Sequence, residues 1–154
     1  MTATWIVSAN AGRARIFSQE RPTEPLTEVG DMVDTAARLR TADTETDRLG
    51  ATSATKSAHN TGGAAPNKTY EPHQTPAEHE MESFARSVAA FLLQGHQQGR
   101  FQRLALAASP QFLGVLRQLL DPGVKSAVSL EINKDYTHCT PAELRDHLQQ
   151  HRPE

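Results

Sequence analysis

Two adjacent glycines, Gly62 and Gly63, are the positions where this chain's backbone is freest to approach a ligand. A glycine pair can turn consecutive amides toward a phosphate, an ester or a peptide carbonyl, because neither residue resists positive φ. The plainer alternative is that glycine collects wherever nothing constrains the backbone. No Walker lysine and no G-x-G-x-x-G fingerprint accompanies the pair, so no nucleotide cofactor is expected. Five cations flank it in sequence, at Arg38, Arg40, Arg48, Lys56 and Lys68. Five acidic residues (Asp34, Asp43, Glu45, Asp47 and Glu71) share the segment, so it is not a basic tail.

The remaining reactive residue types are scattered. His79 stands beside Glu80 and Glu82, but neighbouring helical positions point in different directions, and no H-E-x-x-H pair occurs among the seven histidines; no metal is expected. His138-Cys139 would be reactive only if other groups stabilised the thiolate, and a buried, inert cysteine is the simpler reading. Ser109 closes an apolar run at the end where α/β sheets place ligands, yet Pro110 beside it favours a helix cap. No G-x-S-x-G elbow is present, and no residue is assigned a catalytic role. Arg13 and Arg15, with Arg100 and Arg103, could form a basic patch if the fold joined them; solvated strand edges are the simpler reading.

These groups need a scaffold, and 154 residues suffice for one hydrophobic core, so residues 1–154 read as a single domain. A formal charge of −2 gives no overall attraction to nucleic acid or anionic lipid, and DNA is not expected as a partner. The lone cysteine excludes an internal disulfide and fits a reducing compartment. The apolar run near the start stops at Asn10 to Arg13, too short for a signal core or a membrane span, so the expected location is the cytoplasm.

Trp5 to Ala9, the turn Asn10-Ala11-Gly12, and the alternating Arg13 to Phe17 predict two strands of a hairpin. Leu26 and Val29 suggest a third, closed by Gly30. Residues 34–74 hold eight Thr and eight Ala but few large apolar side chains, which predicts a long flexible loop. Thr75-Pro76-Ala77-Glu78 is a capping box that opens a long helix, with Met81, Phe84, Val88 and Leu92 on its apolar face and Gly95 or Gly99 ending it. Arg103 to Ala108 reads as a central strand buried on both faces. Ser109-Pro110 starts a second helix, broken at Asp121-Pro122-Gly123. Ala127 to Asn133 alternates as a strand, and a second TPAE box at Thr140 to Glu143 opens a final helix. The order predicts a three-layer α/β domain with a mixed sheet and parallel connections in its second half.

Taken together, WIVSANAGRARIF, TDRLG, FARSVAAFL, FQRLALAASPQFLGVLRQLL and LEINKDYTHCTPAEL resemble the bacterial host attachment protein family along nearly the whole chain. That family is similar in fold to the central domain of class-1 peptide release factors and Pelota-type rescue factors. In release factors the corresponding loop carries a Gly-Gly-Gln tripeptide that enters the ribosomal peptidyl-transferase centre. Here Gly62 and Gly63 are followed by Ala64, which has no polar group to complete such a site.

The resemblance implies a non-enzymatic binding or regulatory domain associated with ribosome or RNA, with Arg38, Arg40, Arg48, Lys56, Gly62, Gly63 and Lys68 as the contacts. An ester hydrolase acting on peptidyl-tRNA-like substrates, with the Gly62-Gly63 amides facing the oxyanion, is a second reading, and a protein-interaction module is a third. Replacing Gly63 by Val separates the second from the others. Ester turnover, if it depends on the pair, falls in Gly63→Val, whereas turnover indifferent to the substitution removes the pair from any mechanism.

Overall fold

The computed structural model describes residues 2–34 and 75–151. Contacts divide the chain into two units, Met1–Asp34 with Met81–Glu154, and Thr35–Glu80. The five strands among the described residues lie in the first of these: β1 (Thr4–Asn10), β2 (Arg13–Gln19), β3 (Thr27–Val33), β4 (Arg103–Ala108) and β5 (Val128–Ile132). The described helices are α1 (Pro76–Gln97), α2 (Pro110–Leu119), α3 (Pro122–Ala127) and α4 (Pro141–His151).

The sheet order is β3-β2-β1-β4-β5, antiparallel across β3, β2 and β1 and parallel across β1, β4 and β5. This is the mixed α/β sheet that the element order predicts. Strand alternation sends Trp5, Val7 and Ala9 to one face and Ile6 to the other. The first face packs Leu104, Leu106 and Ile16 against Phe84, Val88 and Leu92 of α1 and Phe112 and Leu116 of α2. The second packs Phe17, Ala105 and Ala107 against Leu144 and Leu148 of α4, with Tyr136 and Cys139 from the connection before it. Burial on both sides explains why β1 and β4 read as near-continuous apolar runs, whereas the edge strand β3 is largely open.

Helix starts follow the sequence closely. The Thr75 amide donates to Glu78 Oε1 at 2.9 Å and the Glu78 amide to Thr75 Oγ1 at 3.0 Å. The same reciprocal pair recurs at Thr140 and Glu143, at 2.9 and 3.1 Å. Each box satisfies two amides that the first helical turn leaves without partners. Ser109 occupies the N-cap position of α2, but its hydroxyl makes no cap hydrogen bond, and Pro110 alone sets the helix start.

Two expectations need correction. Asp121-Pro122-Gly123 does end α2, but it also begins α3, with the Asp121 side chain accepting from the Gly123 amide at 2.9 Å. Gly30 does not close β3; it stands inside the strand, paired with Ile16. A Cβ there would meet the Phe91 ring at 2.8 Å, so glycine is needed for close approach rather than for termination. Of the two glycines expected to end α1, Gly95 lies within it and Gly99, at φ +72°, follows its last residue, Gln97.

Gly95 is set against Trp5, whose indole is 1% exposed and lies 4.8 Å from the Phe101 ring and 5.7 Å from the Phe91 ring, centroid to centroid. A Cβ at position 95 would come within 2.5 Å of the indole, which is hemmed in and cannot retreat. Gly95→Ala is therefore expected to destabilise by about 1–3 kcal/mol despite the gain in helix propensity. Gly114, in the interior of α2 with nothing within 4 Å of where a Cβ would stand, supplies the opposite case. Gly114→Ala is expected to stabilise by about 0.5–1 kcal/mol. Urea denaturation of both variants beside the parent checks the pair, and a neutral Gly95→Ala would contradict the packing argument.

Candidate functional site

The second face of the sheet is laid out in cross-strand rows. Gln19, Thr4 and Arg103 are in register at one end, followed by Phe17, Ile6 and Ala105, then Arg15, Ser8 and Ala107, and last Arg13 with Asn10. An apolar row thus lies between polar ones. The Asn10 end coincides with the carboxyl ends of the parallel strands, where the β1–β2 turn and the β4–α2 connection diverge to opposite sides; open α/β sheets place ligands at such points.

Asn10 organises this edge. Its Oδ1 accepts from the amides of Gly12 at 2.8 Å and Arg13 at 2.9 Å, closing the β1–β2 turn. Its Nδ2 donates to Asp135 Oδ2 at 2.9 Å and to Thr137 Oγ1 at 3.1 Å, joining the hairpin to the segment after β5. Asp135 Oδ1 also accepts from the Thr137 amide at 2.9 Å and from the Thr137 hydroxyl at 2.7 Å. Burial opposes the Asp135 charge, but these hydrogen bonds and the nearby His138 outweigh it and hold the carboxyl below the usual aspartate range. Such a carboxylate stays ionised at neutral pH and is a weak base.

The neighbours are also committed to structure. Arg15 pairs with Glu28 at 3.1 Å and donates from Nη1 to the Cys139 carbonyl at 3.2 Å, while Arg13 pairs with Asp31 at 2.8 Å. Burial raises the Cys139 thiol above its ordinary range, and the charges of Glu143 and Asp135 push in the same direction. It is therefore protonated at neutral pH and a poor nucleophile. Ser8, one row in from Asn10, is 1% exposed and its hydroxyl has no hydrogen-bond partner among the described residues. The arrangement fixes three backbone segments at the carboxyl edge, with Lys134 and His138 exposed beside it.

The ribosome or RNA contacts expected at Arg38, Arg40, Arg48, Lys56, Gly62, Gly63 and Lys68 all lie outside the described residues. The four arginines that could have formed a patch are not brought together. Arg13 and Arg15 stand toward the carboxyl end of β1, whereas Arg103 pairs with Thr4 at its amino end and Arg100 lies over the Trp5 ring at 5.1 Å. Among the described residues no three His, Cys, Asp or Glu side chains form a group that could hold a metal, and His79, Glu80 and Glu82 are no exception. His147 stacks on Tyr136, 4.2 Å between ring centroids and 8° between planes, an arrangement that its helix position did not foretell.

Asn10, Asp135 and Thr137 were not singled out as site residues by sequence. Asn10 is legible as a turn former and Asp135-x-Thr137 as a local side-chain-to-backbone turn. Their union spans 125 residues and depends on β1 and β5 ending at the same edge.

Truncating Asn10 leaves the two turn amides without their acceptor and removes one donor from Asp135. Asn10→Ala is expected to cost about 1–3 kcal/mol, read by urea denaturation. Because Asp135 titrates lower in the folded protein than unfolded, its contribution is complete above about pH 4 and is lost as pH falls through the folded value. The stability gap between the parent and Asp135→Asn should narrow in acid, and a gap that widens there would refute the assignment.

A protein of Rickettsia prowazekii (strain Madrid E), described as uncharacterized, is 35% identical over 74 residues, which cover 47% of this chain. The aligned part is 49% of that protein, so the match spans about half the length of the curated relative. Among solved structures, an archaeal protein aligns over 94% of this chain and 34% of its own, with a TM-score of 0.46 and 10% identity. No helix among the described residues is long and apolar enough to cross a membrane. The model of the family described as "protein required for attachment to host cells" matches residues 5–148, which takes in both cores and the Asn10–Asp135 lock, and the chain belongs to that family.

Proposed function

We propose that this host attachment family chain is a non-enzymatic binding or regulatory domain of the cytoplasm that engages ribosome or RNA through residues 34–74. The observation that carries the reading is how the polar groups at the carboxyl edge are used. Asn10, Asp135 and Thr137 are consumed in holding backbone, Asp135 is too weak a base and Cys139 too weak an acid for neutral-pH chemistry, and the edge serves as a scaffold. Asp34, the first residue of the 34–74 segment, is tied to this scaffold. The Asp34 amide donates to the Gly12 carbonyl at 2.9 Å, within the same turn that Asn10 closes.

The sequence of the segment supports the choice of partner. Gly62 and Gly63 resemble the first two residues of the release-factor tripeptide in a segment before the long helix, and Ala64 in the third place favours binding over ester cleavage. Arg38, Arg40, Arg48, Lys56 and Lys68 are the candidate phosphate contacts. Balanced by acidic neighbours, they would add a local and salt-sensitive attraction rather than a long-range field.

Co-sedimentation of the purified chain with ribosomes tests this. Association is expected at low salt, to weaken as salt rises, and to fall by at least about tenfold when the five cations are replaced together by alanine. Absence of association at low salt, or binding indifferent to the five substitutions, would reject the proposal.

A further inference from the structure

At the end of the sheet opposite Asn10, the row Gln19, Thr4 and Arg103 opens into a groove of about 340 Å³ between the β2–β3 connection and β5. That volume lies within the roughly 300–1,000 Å³ of small-molecule sites. We propose that this groove binds a small organic anion of single charge, with its oxyanion on Arg103 and its apolar body against Ala105, Pro22 and Leu130.

The wall of the groove is fixed in advance. Gln19 Nε2 donates to the carbonyls of Pro22 at 3.2 Å and Glu24 at 2.6 Å. From α4, Gln149 Nε2 donates to the same Pro22 carbonyl at 3.0 Å and Arg145 Nη1 to the Thr23 carbonyl at 3.2 Å. A connection held from two elements needs no ordering when a ligand arrives, which favours binding.

Arg103 is the group left over. Arg13, Arg15, Arg86 and Arg117 each face a carboxylate, and Arg100 lies over Trp5. Among the described residues the Arg103 guanidinium has no ion pair and no hydrogen bond, although it borders a groove with an apolar floor. A planar guanidinium there suits the paired oxygens of a carboxylate or phosphate. Local charge selects between the two. Arg21 and Arg103 line the groove with Glu20, leaving one net positive charge, and Arg21 is itself shared with Glu24 at 3.9 Å. A carboxylate matches that balance better than a doubly charged phosphate monoester.

Amide chemical-shift titration of the full chain with hexanoate, hexyl phosphate and hexylamine tests the site. Hexanoate should give saturable shifts at Thr4, Arg103 and Ala105, bind more tightly than hexyl phosphate, and leave hexylamine without effect. Arg103→Gln, an exposed substitution, should weaken hexanoate by about ten- to a hundredfold while its circular dichroism and melting curve match the parent. Arg103→Lys should retain part of the affinity, and Thr4→Val should place any loss at the same row. No saturable hexanoate shifts, equal binding of hexylamine, or unchanged affinity in Arg103→Gln would overturn the proposal; tighter binding of hexyl phosphate would overturn the single-charge assignment.

Discussion

The seating of Trp5 against Gly95 is the contact on which the rest of the architecture depends. A buried indole at the start of β1 needs a helix whose backbone comes close, and only a residue without Cβ allows α1 to do so. Phe91 and Phe101 complete the enclosure, and the aliphatic row Val7, Leu104 and Leu106 then continues the same layer along the sheet. Gly30 repeats the device on β3, where the Phe91 ring takes the space a side chain would occupy. One aromatic cluster thus sets the spacing of α1 over both β1 and the edge strand.

With β1 fixed on its first face, its second face carries Thr4 at one end and Ser8 and Asn10 toward the other. The middle must remain apolar, because Ile6 lies between Phe17 and Ala105 beneath α4. Polar residues are therefore pushed to the carboxyl edge, where Asn10 ties three segments together, and to the amino edge, where Arg103 and Gln19 border a groove. The two ends differ in chemistry. At the first, Asn10, Asp135 and Thr137 find their partners within the protein; at the second, the Arg103 guanidinium has no protein partner among the described residues.

Family membership gives this division some context without fixing its meaning, since one fold carries many functions. The matched region, residues 5–148, spans both cores and the Asn10–Asp135 connection. Electrostatics at the carboxyl edge serve the scaffold directly: an ionised Asp135 beneath Asn10 and Thr137 stabilises the fold more the further its pKa is driven down.

Much of the element order could be read from local physics. The two TPAE boxes, the helix start at Ser109-Pro110, and the alternation of β2 and β5 are settled by neighbours a few residues apart, and those features stand as read. The central position of β4 was legible from RLALAA because a strand covered on both faces has no polar side to show. Positions whose role depends on distant chain were not legible. Gly30 reads as a terminator, and Gly95 as a candidate beside Gly99, because a glycine's local signal is the same whether it ends an element or admits an aromatic ring from another. Asn10 looked like a turn residue, which it is, but its second bond reaches 125 residues along the chain. The sequence determined where elements begin and which faces are apolar, since capping and periodicity act over one or two turns. Only the tertiary structure decided which polar groups meet, because partnership across a sheet depends on strand order and register, and neither is written in any single segment.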